Sequence, residues 1–109
     1  MRIRTTALIV PFAAISCGGA VAQYDGIGDC ERFATTFYKT NNADFKNFVI
    51  DRNTVNEIGF DTNVGSQHVT AIYRGVATYT DTRRKIIGTF VCLHAGPGKS
   101  AVFVHLIPR

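Results

Sequence analysis

The first residues of the chain restrict the folded protein to a shorter piece of the sequence. Arg2 and Arg4 precede an apolar run, and Ala20-Val21-Ala22 then places small residues three and one before a cleavage site. A basic start, a short apolar stretch and such a site are typical of a secretory signal peptide, and the apolar run is too short to span a bilayer. We therefore predict that residues 1–22 are a cleaved leader and that residues 23–109 form one small domain.

Removing this leader lowers the excess of basic residues. The whole chain has a formal net charge of +4, and the leader contains two of its 12 lysines and arginines but none of its 8 acidic residues. The processed chain has a net charge of +2, which is too mild to indicate a nucleic-acid partner. Its one basic cluster, Arg83-Arg84-Lys85, lies between two strand-like runs, where we expect an exposed turn that can steer an acidic partner.

Two cysteines, Cys30 and Cys92, remain in the processed chain, because Cys17 lies in the leader. In an oxidising compartment a sole pair of cysteines usually forms a disulfide, and closing a loop of this length stabilises a small domain by about 4 kcal/mol. We therefore predict a Cys30–Cys92 bond, which leaves no free thiol for nucleophilic or redox chemistry. A lipoprotein acylated at Cys17 is the minor alternative, because Ala14 stands where a larger aliphatic residue is usual.

The segment from Asp29 to Thr40 is predicted to be a helix. Asp29 can cap its start, and apolar residues recur at three-and-four spacing along one face. These residues are Cys30, Phe33, Ala34 and Phe37. Asn41-Asn42 ends the pattern. The next apolar stretch, Phe45–Ile50, fits either a second short helix or a strand, and we favour the strand.

Three runs of β-branched and aromatic residues follow, and each is predicted to be a strand. They are His68–Thr80, Lys85–His94 and Ser100–Ile107. The short connections between them, the second of which contains Gly96-Pro97-Gly98, favour antiparallel neighbours. The predicted fold class is therefore α+β: an N-terminal helix packed on a small twisted antiparallel sheet, a meander of three or four strands, with one disulfide.

One face of this predicted sheet has apolar residues but no helix to cover them. The predicted disulfide turns the face of Phe90 and Cys92 toward the helix, so the alternate residues point away from it. On the middle strand these outward residues are Ile87, Val91 and Leu93. Both faces of the last strand are apolar, and we expect its Val104 to join them. Either the sheet curls, with the Phe45–Val64 region as a lid, or a second protein covers the surplus apolar surface, and curling is slightly favoured.

Patterns that would indicate a cofactor or a metal are weak. Gly98-Lys99-Ser100 resembles the end of a phosphate-binding loop, but Leu93 replaces the earlier glycine and a strand follows in place of a helix. The histidines His68, His94 and His105 have no metal-ligand spacing, although a site formed by His94 and His105 on adjacent strands is conceivable. We expect neither a cofactor nor a bound metal.

The sequence contains no specific functional motif, so three functional classes remain open. The favoured one is a small exported protein, periplasmic or extracellular, that is not an enzyme and binds a protein partner through the outer face and the Arg83–Lys85 tip. The second is a small secreted hydrolase of the nuclease type that uses His94, His105 and Lys99 in acid–base chemistry. The third is a structural homodimer. No segment after the leader is long and apolar enough to anchor the chain in a membrane.

Overall fold

The computed structural model describes residues 24–109, so the predicted leader at residues 1–22, with Cys17, lies outside the described residues. The described part contains one helix and a four-stranded antiparallel sheet. Their bounds, in chain order, are α1 Gly26–Asn41, β1 Phe45–Val64, β2 Gln67–Asp81, β3 Lys85–His94 and β4 Ala101–Pro108. The strands pair in the order β1-β2-β3-β4, which confirms the predicted meander and the α+β class.

Helix α1 begins earlier than predicted, because its N-cap is Asp25 and not Asp29. The Asp25 carboxylate accepts the Gly28 N–H at 2.9 Å, which satisfies one of the free donors of the first turn. A glycine at position 26 lowers helix propensity, yet Gly26 has a structural reason, since a Cβ there would overlap the Tyr73 hydroxyl. The start of the helix therefore packs closely on the sheet.

Strand β1 is far longer than the sequence indicated. Its residues pair with β2 along the whole length, with three shifts in register. The widest shift sets residues 52–55 against Gly75 alone, and there the Thr54 hydroxyl accepts the Val76 N–H at 2.8 Å. The Phe45–Val64 region is thus an edge strand of the sheet, and the lid suggested by the sequence does not form.

Strand β3 has the bounds predicted from the sequence, and β2 and β4 differ from the predicted strands by one residue at each end. The β2–β3 turn is closed by the Asp81 N–H, which donates to the Arg84 carbonyl at 3.0 Å. The β3–β4 loop contains Gly96 and Gly98, whose φ angles of 112° and 75° lie in the region that favours glycine. Both connections join antiparallel neighbours, as predicted.

The sheet curves around the helix. Helix α1 packs mainly against β1 and β4, the two edge strands, which lie about 14 Å apart at the usual strand spacing. A single helix reaches both edges only if the sheet is concave toward it. Tyr38 illustrates the contact, because its ring stacks on Phe45 and Phe48 of β1 and lines a groove together with Leu106 of β4. This concave side is the inner face, and the other side is the outer face.

The predicted disulfide joins Cys30 of α1 to Cys92 of β3, with an Sγ–Sγ distance of 2.07 Å. Both cysteines are fully buried in the same cluster as Phe90. Glu31 provides a second connection between helix and sheet, because its carboxylate accepts the Ile50 N–H at 2.8 Å. The helix is thus fixed to the inner face at two places.

Candidate binding surface

The outer face of the sheet is apolar along a row that crosses all four strands. The strand register places Ile58, Ile72, Leu93 and Phe103 opposite one another in β1, β2, β3 and β4. Residues that lie opposite one another in antiparallel strands share a face. Phe103 is 48% exposed, and Ile58 is exposed to a similar degree. These four residues, called the apolar row below, therefore form a continuous strip that is exposed at Ile58 and Phe103 and half-buried between them.

Further apolar side chains extend the outer face along β3 and β4. Ile87 and Ile107 are each about half exposed, and Val91 is partly buried. Val91 lies opposite Arg74 on one side and His105 on the other, so a polar row interrupts the apolar surface. The structure thus places all three β3 residues predicted to face outward on this face, while their part in binding stays a prediction.

Val104 belongs to the inner face, and its predicted outward position is wrong. It lies opposite Cys92 and is only 6% exposed. Both faces of β4 are apolar, so the sequence pattern did not decide which one faces the helix. Val104 lies in the regular part of the β3–β4 ladder, where its pairing with Cys92 decides its face. Phe103 takes the outward place instead.

The tip of the β1–β2 hairpin adds a concavity at one end of the apolar row. Gly65 turns the chain there with a φ of 64°, a left-handed conformation that favours glycine. The cavity, called the hairpin notch below, has a volume of about 310 Å³. It is lined by Val64, Gln67, Leu93, Val102 and Phe103. Because four of these side chains are apolar, the notch suits an apolar group of a ligand.

Basic residues on and beside the outer face have few acidic partners. Arg74 is exposed in the middle of the face, and within residues 24–109 no carboxylate lies within 4.0 Å of its guanidinium. The predicted basic tip, Arg83-Arg84-Lys85, is an exposed turn. Asp81 shapes this turn, because its carboxylate accepts the backbone N–H of Arg83 at 2.8 Å and that of Arg84 at 2.9 Å. The bond from Arg83 is the largest cause of a lowered pKa at Asp81.

His94 is fully buried and belongs to a hydrogen-bonded network. The Gly96 N–H donates to its Nδ1 at 2.8 Å, so Nδ1 carries no proton. The proton is therefore on Nε2, which donates to the Asp29 carboxylate at 2.8 Å. The Tyr24 hydroxyl also lies 2.9 Å from Nδ1. Both ring nitrogens thus have partners, as expected of a structural histidine.

The residues predicted for acid–base chemistry are not brought together. His105 lies on the outer face, where its ring stacks on Phe103. His94 lies on the inner face, opposite Ala71. Lys99 lines a cavity of about 540 Å³ beside the His94 network. The sheet therefore separates the two histidines, and one substrate cannot contact both.

Tyr24 and Tyr73 belong to this network but were not recognised from the sequence. The Tyr73 hydroxyl donates to the Tyr24 hydroxyl at 3.2 Å. Burial, together with this bond, raises the pKa of Tyr73 well above its ordinary value. The two tyrosines are 49 positions apart in the chain, so no local sequence pattern connects them, and only the docking of the helix on the sheet brings them together.

Within residues 24–109, no group of three His, Cys, Asp or Glu side chains is placed to hold a metal ion. His68 instead contacts Asn63 at 2.9 Å and Asp61 at 2.8 Å at the hairpin tip. In the same part of the chain, no helix is both long and apolar enough to cross a membrane.

The fold and the surface define a small disulfide-bonded α+β domain whose sheet has one face filled by a helix and one apolar face open to solvent. Comparison with known proteins adds no family, because no protein-family model, no curated protein and no solved structure matches this chain. The geometry of the site is therefore the basis for assigning a function.

Proposed function

We propose that this chain is an exported, non-catalytic binding or accessory protein that contacts a partner protein through the outer face of its sheet. The apolar row of Ile58, Ile72, Leu93 and Phe103 carries the proposal. A solvated sheet face normally presents polar residues, and soluble proteins rarely keep a large contiguous apolar patch exposed unless it binds something. The helix occupies the inner face and cannot cover this row.

The hairpin notch supports a contact built around one anchoring side chain. Residues that insert into well-packed apolar pockets contribute most of the binding energy of a protein interface. The notch adjoins the apolar row at Leu93 and Phe103, so a side chain seated in it would extend the buried contact along the row. A volume of about 310 Å³ suits an aromatic or long aliphatic side chain of the partner.

Charge on the outer face favours a partner with acidic residues beside this apolar anchor. Arg74 lies next to the apolar row, and Lys85 lies at the far end of the same face. A second copy of the chain would bring the same basic side chains to the contact, so like charges oppose self-association through this face. An unlike protein with an apolar anchor and flanking carboxylates is the better fit.

Export is the second part of the proposal. The signal-peptide pattern at residues 1–22 supports it, and the Cys30–Cys92 disulfide is compatible with an oxidising compartment, periplasmic or extracellular. The intact mass of the protein recovered from the envelope or the medium of its host tests this directly. We expect the mass of residues 23–109 less two hydrogens, and a mass that includes the leader would contradict export through this signal.

Matched variants test the proposed binding surface. Phe103→Asp and Ile58→Asp place a charge in the apolar row, whereas Phe37→Asp places one on a helix side chain that is exposed to the same degree. All three variants should fold, as melting temperature and near-UV circular dichroism would verify. In affinity capture from envelope and medium extracts, we expect wild type and Phe37→Asp to recover a partner protein. The two row variants should recover at least about tenfold less.

Other outcomes would overturn the proposal. Equal recovery of the same proteins by all variants would mean that the apolar row is not the contact surface. A wild-type dimer in analytical ultracentrifugation that Phe103→Asp dissociates would mean that the face joins two copies, and a homodimer would replace the binding protein. Cleavage of RNA by the purified protein, lost in His105→Ala at an exposed histidine of the outer face, would favour the hydrolase.

A further inference from the structure

Four segments meet at one end of the molecule, which is called the basic end below. They are the end of α1, the start of β1, the β2–β3 turn and the end of β4. The Thr82 N–H of the turn donates to the Asp44 carbonyl before β1 at 3.1 Å, and the Arg109 N–H after β4 donates to the Ile87 carbonyl of β3 at 3.2 Å. These backbone contacts hold the segments side by side.

The basic end contains all of the excess positive charge of residues 24–109. Its residues, 39–46, 81–88 and 106–109, include six basic and two acidic side chains. The rest of residues 24–109 include four basic and six acidic side chains. The six basic residues of this end are Lys39, Lys46, Arg83, Arg84, Lys85 and Arg109, and all are exposed. The chain thus has a strongly polarised charge distribution despite its mild net charge.

The two acidic residues of the basic end do little to neutralise it. Asp81 is occupied by backbone N–H groups of its own turn and lies 3.8 Å from the Arg84 Nε, and Asp44 lies 3.8 Å from the Arg83 Nε. Both ion pairs are therefore long. Within residues 24–109, the basic side chains with no carboxylate inside 4.0 Å include Lys39, Lys46, Lys85 and Arg109. Their charge is available to a ligand.

Apolar groups are exposed among these basic residues. Phe37 of α1 is 50% exposed and lines a groove of about 400 Å³ between the helix and the end of the sheet. Ile86 and Pro108 form part of the wall of this groove, and Arg84 lines it as well. The basic end therefore combines an exposed aromatic side chain and an apolar groove with basic residues, of which Arg84 lines the groove itself.

We infer that the basic end binds the surface of a membrane that contains anionic phospholipids. Such a surface is anionic at the headgroups and apolar directly beneath them, so it complements both the basic side chains and the apolar groove. A nucleic acid, or a purely acidic chain such as polyglutamate, would use the charges but would leave Phe37 and the groove in water. The inference goes beyond the proposed function, because the basic end and the apolar row are at different ends of the sheet.

Vesicle co-sedimentation tests this inference with the oxidised protein. Binding is expected to vesicles of equal parts phosphatidylglycerol and phosphatidylcholine, and not to vesicles of phosphatidylcholine alone. Each basic residue near an anionic bilayer is worth about fivefold in affinity, so Lys85→Gln/Arg109→Gln should weaken binding about 25-fold. The control Arg74→Gln/Lys99→Gln removes the same charge away from the basic end and should change binding little. Phe37→Ser should weaken binding severalfold at unchanged net charge.

Several results would overturn the inference. The first is that wild type does not bind the anionic vesicles, and the second is that both double variants lose the same amount of vesicle affinity. The third is that Phe37→Ser binds the vesicles as well as wild type does, and that wild type binds soluble polyglutamate as tightly as it binds vesicles. The last would identify an acidic protein segment as the ligand. Displacement from vesicles by soluble glycerol phosphate would identify a free phosphate ester instead. Phe103→Asp should bind vesicles like wild type, so this inference and the proposed function fail independently.

Discussion

The two faces of the sheet contain similar residues in opposite environments. Phe90 on the inner face is completely buried, whereas Phe103 on the outer face is about half exposed. Phe103 and Val104 are adjacent in sequence, yet strand alternation sends one to solvent and the other under the helix. Among the described residues, a helix and a disulfide cover the inner face except along the far part of β1, and neither covers the outer face. The apolar character of a strand residue therefore does not tell whether it is buried. The topology of the fold decides whether it packs in the core or remains available for contacts.

On the inner face, removal of the disulfide should cause the largest loss of unfolding free energy. Cys30→Ala/Cys92→Ala opens a loop whose ends are 62 positions apart, and the expected loss of unfolding free energy is about 4 kcal/mol. Urea denaturation of this variant and of reduced wild type measures the loss, and the two should agree. A loss below about 1 kcal/mol would mean that packing alone holds the helix.

An added methyl group should distinguish the packed part of the sheet from the open hairpin. At Gly88 a Cβ would overlap the carbonyl oxygen of Ile107, so Gly88→Ala must displace the end of β4 and should cost about 2 kcal/mol. At Gly59 no atom lies within 4 Å of the Cβ position, and Gly59→Ala should be neutral or stabilising by about 0.5 kcal/mol. The midpoints of chemical denaturation compare the two variants. Equal midpoints would show that the end of β4 moves away from Gly88 without a loss of stability.

The β2–β3 turn should make the basic end sensitive to acid. The backbone N–H of Arg83, more than any other group, lowers the pKa of Asp81 from its ordinary value of 3.8. The unfolded chain therefore binds this proton more readily than the folded one. The stabilisation from Asp81 is complete above about pH 4 and is lost as the pH falls through the lowered pKa.

Two aspartate variants at this turn measure that contribution. Asp81→Asn should lower the melting temperature by a few degrees at neutral pH and should reduce its dependence on acid. Asp44→Asn, at an exposed carboxylate beside the same turn, should leave both nearly unchanged. Thermal melts from neutral pH to about pH 2 provide the comparison. If the acid profile of Asp81→Asn matches that of wild type, the turn does not depend on this carboxylate.

Much of the fold could be predicted because its signals are local. Strand β3 was predicted to the residue, since a charged turn precedes it and Gly96-Pro97-Gly98 follows. The disulfide followed from the presence of two cysteines after the predicted leader. The helix start was not predicted, because Gly26 and Gly28 lower helix propensity. The close approach of Tyr73 to Gly26 is a long-range contact that no local pattern contains, whereas the cap at Asp25 is a local signal that was assigned to Asp29.

The candidate site depended on information that no local pattern contains. Most side chains of β1 after Asp51 are exposed on both faces, so they show no alternation and the strand was predicted only in part. The face of Val104 depended on its pairing with Cys92 of β3. The contact between Tyr24 and His94 joins residues 70 positions apart. The apolar row itself became visible only once the register of all four strands was known.

The same substitution on the two faces tests most directly the claim that the inner face holds the fold and the outer face is free for contacts. Phe90→Ala removes a fully buried ring and should cost about 4 kcal/mol of unfolding free energy. Phe103→Ala removes a half-exposed ring and should cost less than about 1 kcal/mol. Chemical denaturation of both variants beside wild type is the decisive measurement. A difference of at least about 2 kcal/mol is predicted, and equal losses would contradict the account, because the outer face would then belong to the core.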